Sequence, residues 1–191
     1  MKGGAPGSPE EIAAFAALQS RLPALFRDVF ADPNEPRTIV IVPGLSMDVE
    51  VLAKVVGGLH YEERQLAMLM LLRLPNTRLV FVSSTPIEPA IIDYYLGLLP
   101  GVSREDARRR LVLFSASDAS PQTLTRKILE RPRLLERIRA AVGDPDIAHL
   151  TVFNSTACER TLAVRLGIPL YGCDPALLEI GGKSGSRQAF R

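Results

Sequence analysis

A chain of 191 residues that is 47% hydrophobic and 23% charged, with no Trp, has the make-up of an ordinary folded domain rather than a disordered or membrane-embedded chain. Its 23 basic against 21 acidic residues leave a formal charge of +2, which excludes the strongly basic footprint of a dedicated nucleic-acid binder. No run approaches the roughly 18 apolar residues of a membrane span, and the opening MKGGAPGSPEEIAA has no apolar signal stretch, so a cytoplasmic protein is expected, with no membrane and no nucleic-acid partner.

The only cysteines, Cys158 and Cys173, and the only histidines, His60 and His149, are scattered without metal-ligand spacing. Reduced thiols in or near the core are the expectation.

Along the chain, residues 1–36 read as a Gly/Pro/Ser-rich start and a lead-in helix. From Glu10 to Phe30 the spacing of Ile12, Phe15, Leu18, Leu22, Leu25 and Phe26 is that of an amphipathic helix, broken or restarted near Pro23. The turn cluster from Asp32 to Pro36 closes it.

A regular alternation follows over residues 37–180. Short apolar runs, rich in β-branched residues, cover 38–42, 78–82, 111–115 and 149–153, with a weaker fifth at 168–171. Strands that are apolar on both faces belong in parallel sheets covered by helices. Helix starts lie between them: Ser103 to Asp106 resembles a capping box, Ser120-Pro121 puts Pro at a first helical position, and Thr156 to Glu159 is a full capping box. Residues 48–73 read as two helical pieces around Gly57-Gly58. The pattern predicts an α/β, Rossmann-like three-layer domain with a mainly parallel sheet of about five strands.

Each run is followed by small and polar residues: Gly44 and Ser46, then Ser84 and Thr85, then Asp118 and Ser120, then Asn154, Ser155 and Thr156. Ligands bind outside the carboxyl ends of parallel strands, so these loops are candidates for one binding crevice; the same residues are also ordinary turn formers and N-caps. Glu159 is spaced to cap Thr156, which competes with any acid–base role. Gly44 alone is no dinucleotide fingerprint, and the chain has no G-x-S-x-G elbow.

Residues 181–191 hold Gly181, Gly182, Lys183, Ser184, Gly185, Ser186 and Arg187. Glycines, hydroxyls and cations together suit phosphate oxygens, although a basic tail would have the same composition. It is not a Walker A loop, because position 177 is Leu.

The runs VFNSTACE (152–159), LAVRLGIP (162–169), YGCDP (171–175) and GKSGSR (182–187), then Phe190 and Arg191, together with VPGLS (42–46), resemble the junction into the catalytic part of ATP-grasp ligases. The likeness is to carboxylate–amine and peptide ligases that carry a Rossmann-like pre-ATP-grasp domain first.

That resemblance implies an ATP-dependent ligase working through an acyl phosphate. ATP and Mg²⁺ would serve the complete enzyme, and an ATP-grasp domain would be present in cis or in trans. Lys183, Ser184, Ser186 and Arg187 would approach the nucleotide. Gly44, Ser46, Ser84, Thr85, Asn154, Ser155 and Thr156 would line the side that takes a small carboxylate or amine substrate. A homodimer is a further expectation. The chain ends where the ATP-grasp fold should begin, so it is expected to be catalytically incomplete alone. The alternative is a free-standing Rossmann-like module that binds a small ligand or nucleotide, or dimerises, without catalysis.

Overall fold

A computed structural model describes residues 4–46, 49–181, 185 and 187. The lead-in helix is divided: α1 spans Pro9–Gln19, α2 spans Leu22–Leu25, and a π-type turn continues over Phe26–Phe30. Pro23 sits in the first turn of α2, where its missing N–H costs nothing, so the chain restarts there rather than kinking.

The strands are β1 (Arg37–Val42), β2 (Thr77–Ser83), β3 (Leu111–Ser115), β4 (Ala148–Val152) and the short β5 (Leu170–Tyr171). They form one sheet in the order β3-β2-β1-β4-β5, and every pairing is parallel. This is a doubly wound, Rossmann-like order whose reversal lies between β1 and β4.

The sheet's alternation explains the continuous apolar runs. Val40, Val42, Val80 and Val82 pack on one face against α1, α7 (Leu124–Leu129), α8 (Pro132–Val142) and α9 (Ala157–Leu166). Ile39, Ile41, Leu79 and Phe81 pack on the other face. There they meet a 3₁₀ stretch (Gln65–Arg73) with Leu66, Leu69 and Leu72, and the helices α5 (Pro89–Gly97) and α6 (Arg104–Arg110). Apart from Arg78 at the start of β2, neither face of β1 or β2 meets water, so neither shows polar alternation.

Two short helices, α3 (Val49–Ala53) and α4 (Gly58–Arg64), fill the region after β1, on either side of Gly57. A last short helix, α10, covers Leu178–Gly181. No helix among the described residues is long and apolar enough to cross a membrane. At the outer edge of the sheet, Gln19 donates from Nε2 to the Leu170 carbonyl at 3.0 Å, and its Oε1 accepts from the Leu170 N–H at 2.7 Å.

Three local expectations need correction. The helix expected to start at Pro121 begins at Leu124, with Thr123 as N-cap. Asp118 accounts for the delay, because its Oδ1 accepts from the Ser120 N–H at 2.8 Å and shapes a turn first. Ser103 does cap α6 through the Asp106 N–H, but Asp106 pairs with Arg109 and Arg110 instead of closing the box. Both cysteines are free, yet only Cys158 is half-buried; Cys173 is exposed.

Candidate functional site at the carboxyl edge of the sheet

The loop after β2 does more than turn the chain. Ser84 is buried, and its N–H and hydroxyl both donate to the Glu62 carboxylate, at 2.6 and 2.7 Å. The same hydroxyl accepts from Lys127 Nζ at 3.0 Å. Lys127 also donates to the Asp118 carbonyl at 2.9 Å, while the Asp118 carboxylate pairs with Arg131 at 2.6 Å. Two acids and two bases from α4, the β3 loop, α7 and the turn after it are thereby tied to one serine.

Their environment shifts both central charges toward neutrality. Burial pushes the Glu62 carboxyl up, opposed by its bonds from Ser84 and by Lys127. Burial pushes the Lys127 ammonium down, opposed by Asp118 and Glu62. Asp118 moves the other way: the Ser120 side chain and N–H, then Arg131, hold it at about 2.

Above this network lies a cavity of about 300 Å³. Its apolar wall includes Leu45, Leu52, Val55 and Leu124, and its polar lining includes Glu62, Ser84, Gln122 and Lys127. A concave apolar site with a few convergent polar groups and perturbed charges is the general form of a small-ligand pocket.

The loops after β1 and β4 are locked together at the point where the strand order reverses. The Ser46 N–H donates to Asn154 Oδ1 at 2.8 Å, and Asn154 Nδ2 donates to the Ser46 carbonyl at 2.6 Å. Glu159 is buried and caps α9: its Oε2 accepts from the Thr156 N–H at 2.9 Å and from the Thr156 hydroxyl at 2.5 Å. Its Oε1 accepts from the Ser46 hydroxyl. The capping reading of Glu159 therefore holds, and the same carboxylate also fastens the β1 loop.

The remaining candidates divide by location. A Cβ on Gly44 would stand 2.5 Å from Leu124 Cβ, so glycine is required there by the close approach of α7. Thr85 is half-buried, and its carbonyl accepts from the Ser83 hydroxyl at 2.7 Å. Asn154 and Ser155 line a second, more open depression with Phe153, Cys173 and Leu178, beyond β4 and β5. Arg187 is exposed, and Lys183, Ser184 and Ser186 lie outside the described residues.

Glu62 and Lys127 went unrecognised at the level of sequence. They lie 22 residues before and 43 residues after Ser84, in helical stretches where a charged residue normally faces water. A lysine flanked by Leu124 and Ile128 in a short helix was the available signal. Among the described residues, no group of three His, Cys, Asp or Glu side chains is placed to hold a metal ion.

No family model matches the chain, and no solved structure matches it. Over 179 residues, 91% of its length, the chain is 28% identical to the L-propargylglycine–L-glutamate ligase of Streptantibioticus cattleyicolor. It is a distant relative of a ligase. The chain spans about a third (36%) of that relative's length.

Proposed function

We propose that this chain is the Rossmann-like, substrate-side domain of an ATP-grasp ligase that joins a carboxylate to an amine. The observation that carries the reading is the 28% identity over 91% of the chain to a ligase whose name pairs two amino acids. The fold supports it, because a parallel sheet with polar loops at its carboxyl edge offers one wall of a cleft that another domain can close.

In such a reaction a carboxylate oxygen attacks the terminal phosphorus of ATP and releases ADP. The amine nitrogen then attacks the acyl carbon, phosphate leaves, and the amide forms as the nitrogen gives up a proton. Stabilising charge on the transferring phosphoryl group is the main demand on the protein. The metal and most of the ATP contacts are assigned to an ATP-grasp domain in cis or in trans. Lys183, with Ser184, Ser186 and Arg187, is assigned to the phosphate side. The loops carrying Ser84, Thr85, Asn154, Ser155 and Thr156 are assigned to the substrate side.

The test uses the native protein that carries this chain, purified from its source cells and incubated with ATP, Mg²⁺ and pairs of amino acids. ADP release that depends on both amino acids, with hydroxamate formed when hydroxylamine replaces the amine, is the expected result. ATP turnover that ignores both amino acids would overturn the reading. In that enzyme Lys183→Ala raises the KM for ATP and leaves the fold intact.

A further inference from the structure

We infer that the β3 edge of the sheet docks a second copy of this chain. The two β3 strands pair antiparallel about a twofold axis at Leu113, giving one continuous sheet with five strands from each copy.

The first observation is which backbone groups face outward. The Ala116 N–H donates to the Ser83 carbonyl of β2 at 2.9 Å, and the β2–β3 register runs unbroken from Leu79 and Leu111 to Ser83 and Ser115. Peptide groups alternate in direction along a strand, so Val112 and Phe114 also bond toward β2, while Leu111, Leu113 and Ser115 turn away from it. The Leu111 N–H is spent on the Arg108 carbonyl. Among the described residues, no group bonds to the N–H and C=O of Leu113, the N–H of Ser115 or the C=O of Leu111.

The second is how differently the two edges of the sheet are treated. At the β5 edge, Gln19 occupies both the N–H and the C=O of Leu170. The β3 edge carries none of the devices that blunt an open strand: Leu111 to Ser115 include no charge, no Pro and no bulge. Four of its five residues are only half-buried.

The third is self-complementarity. Centring the pair on Leu113 apposes all five residues of both strands. Leu113 then meets its own copy as a hydrogen-bonded pair, each N–H donating to the other's carbonyl. Two residues further out, each Ser115 N–H reaches the Leu111 carbonyl of the other copy. Between them Val112 stands opposite Phe114 of the copy, twice, and β-branched–aromatic neighbours of this kind stabilise a sheet. Arg137 lies over the Phe114 ring, 5.0 Å from its centroid, and the twofold brings a second Arg137 to the same junction. Association is therefore measured at about 0.5 M salt, where charges are screened beyond about 4 Å.

This docking does not rest on the ligase reading. The test takes the ¹⁵N-labelled 191-residue chain at about 20 and about 500 µM. Sedimentation is expected to show a monomer–dimer equilibrium with a Kd near or below about 50 µM. The Leu113 and Ser115 amides are expected to exchange with water at least about threefold more slowly at the higher concentration, whereas Val112 and Phe114, already bonded to β2, do not change. Leu113→Pro removes only an outward N–H, which an edge strand tolerates, and leaves a folded monomer. Where that variant fails to fold, the exchange pattern of the parent chain decides alone. A monomer at both concentrations, a dimer whose Leu113 amide exchanges freely, a Leu113 amide equally protected at both concentrations, or a folded Leu113→Pro that dimerises like the parent would each overturn the inference. Neither ATP nor an amino acid is involved, so these outcomes are independent of whether amide formation is found.

Discussion

Asn154 and Ser46, 108 residues apart in sequence, are joined by two hydrogen bonds running in opposite directions between a side-chain amide and a backbone peptide unit. The amide of Asn154 ties together the loops that leave β1 and β4 beyond their last paired residues, Val42 and Val152. This closes the sheet edge at the reversal point and fixes the β1 loop under the cavity wall.

Asn154→Ala removes both bonds and leaves a half-buried peptide unit without these partners. A loss of about 2 kcal/mol of stability is expected, read from the shift in urea midpoint at constant slope. Asn154→Asp keeps one acceptor but sets a carboxylate oxygen against the Ser46 carbonyl, so it is expected to recover little of that loss at neutral pH.

Gly44→Ala places a methyl where Leu124 already stands, 2.5 Å from its Cβ and 3.3 Å from its backbone nitrogen. The start of α7 has to move, and Lys127 moves with it. A loss of about 1–3 kcal/mol is expected in thermal or chemical denaturation. The same variant changes the amide shifts of Ser84, which a purely local effect on the β1 loop would not do.

Glu62 and Lys127 are coupled through Ser84, so their single substitutions are predicted to be non-additive. Glu62→Gln leaves Lys127 beside Asp118, and Lys127→Met leaves Glu62 bonded to Ser84, so each is expected to cost about 1–3 kcal/mol. The double variant removes both charges and is expected to lose less than the sum by about 1–3 kcal/mol in a double-mutant cycle. Full additivity would mean that the two charges do not communicate.

His149 gives the fold a defined response to acid. It lies in β4, buried, with its ring against Phe26 and Tyr171, and burial lowers its pKa from 6.5 to about 4. The unfolded chain therefore binds this proton first. Stability is fully present above pH 6.5 and falls as pH drops from 6.5 toward 4, by up to about 3 kcal/mol. Urea midpoints measured across that window are expected to fall in the parent protein and to flatten in His149→Phe.

The layout of the sheet was legible because strands buried on both faces must be apolar throughout, and helix caps are chosen by residue type. Val40 and Ile41 need no partner to declare a buried strand, and Thr156 and Glu159 declare α9 by their spacing. Where two local interactions competed, the pattern misled. Asp118 organises a turn that delays the helix expected at Pro121, and Asp106 prefers two nearby arginines to the Ser103 N–H. The charged network was illegible for a different reason. Ser84 advertises a polar loop, but Glu62 and Lys127 are ordinary surface residues until the fold carries α4 and α7 over the ends of β1 and β2. Gly44 is the intermediate case: a glycine in a loop is visible in the sequence, whereas the helix that demands it is not.

The two bonds from Gln19 to Leu170 bear on how the molecule meets its own copies. The outward N–H and C=O of a marginal strand are the groups a foreign strand would seek. Here a helix from the other end of the chain satisfies both with a single amide. Replacing Gln19 by Leu would unmask that edge, and the cost would surface as concentration-dependent association through the sheet before any loss of secondary structure.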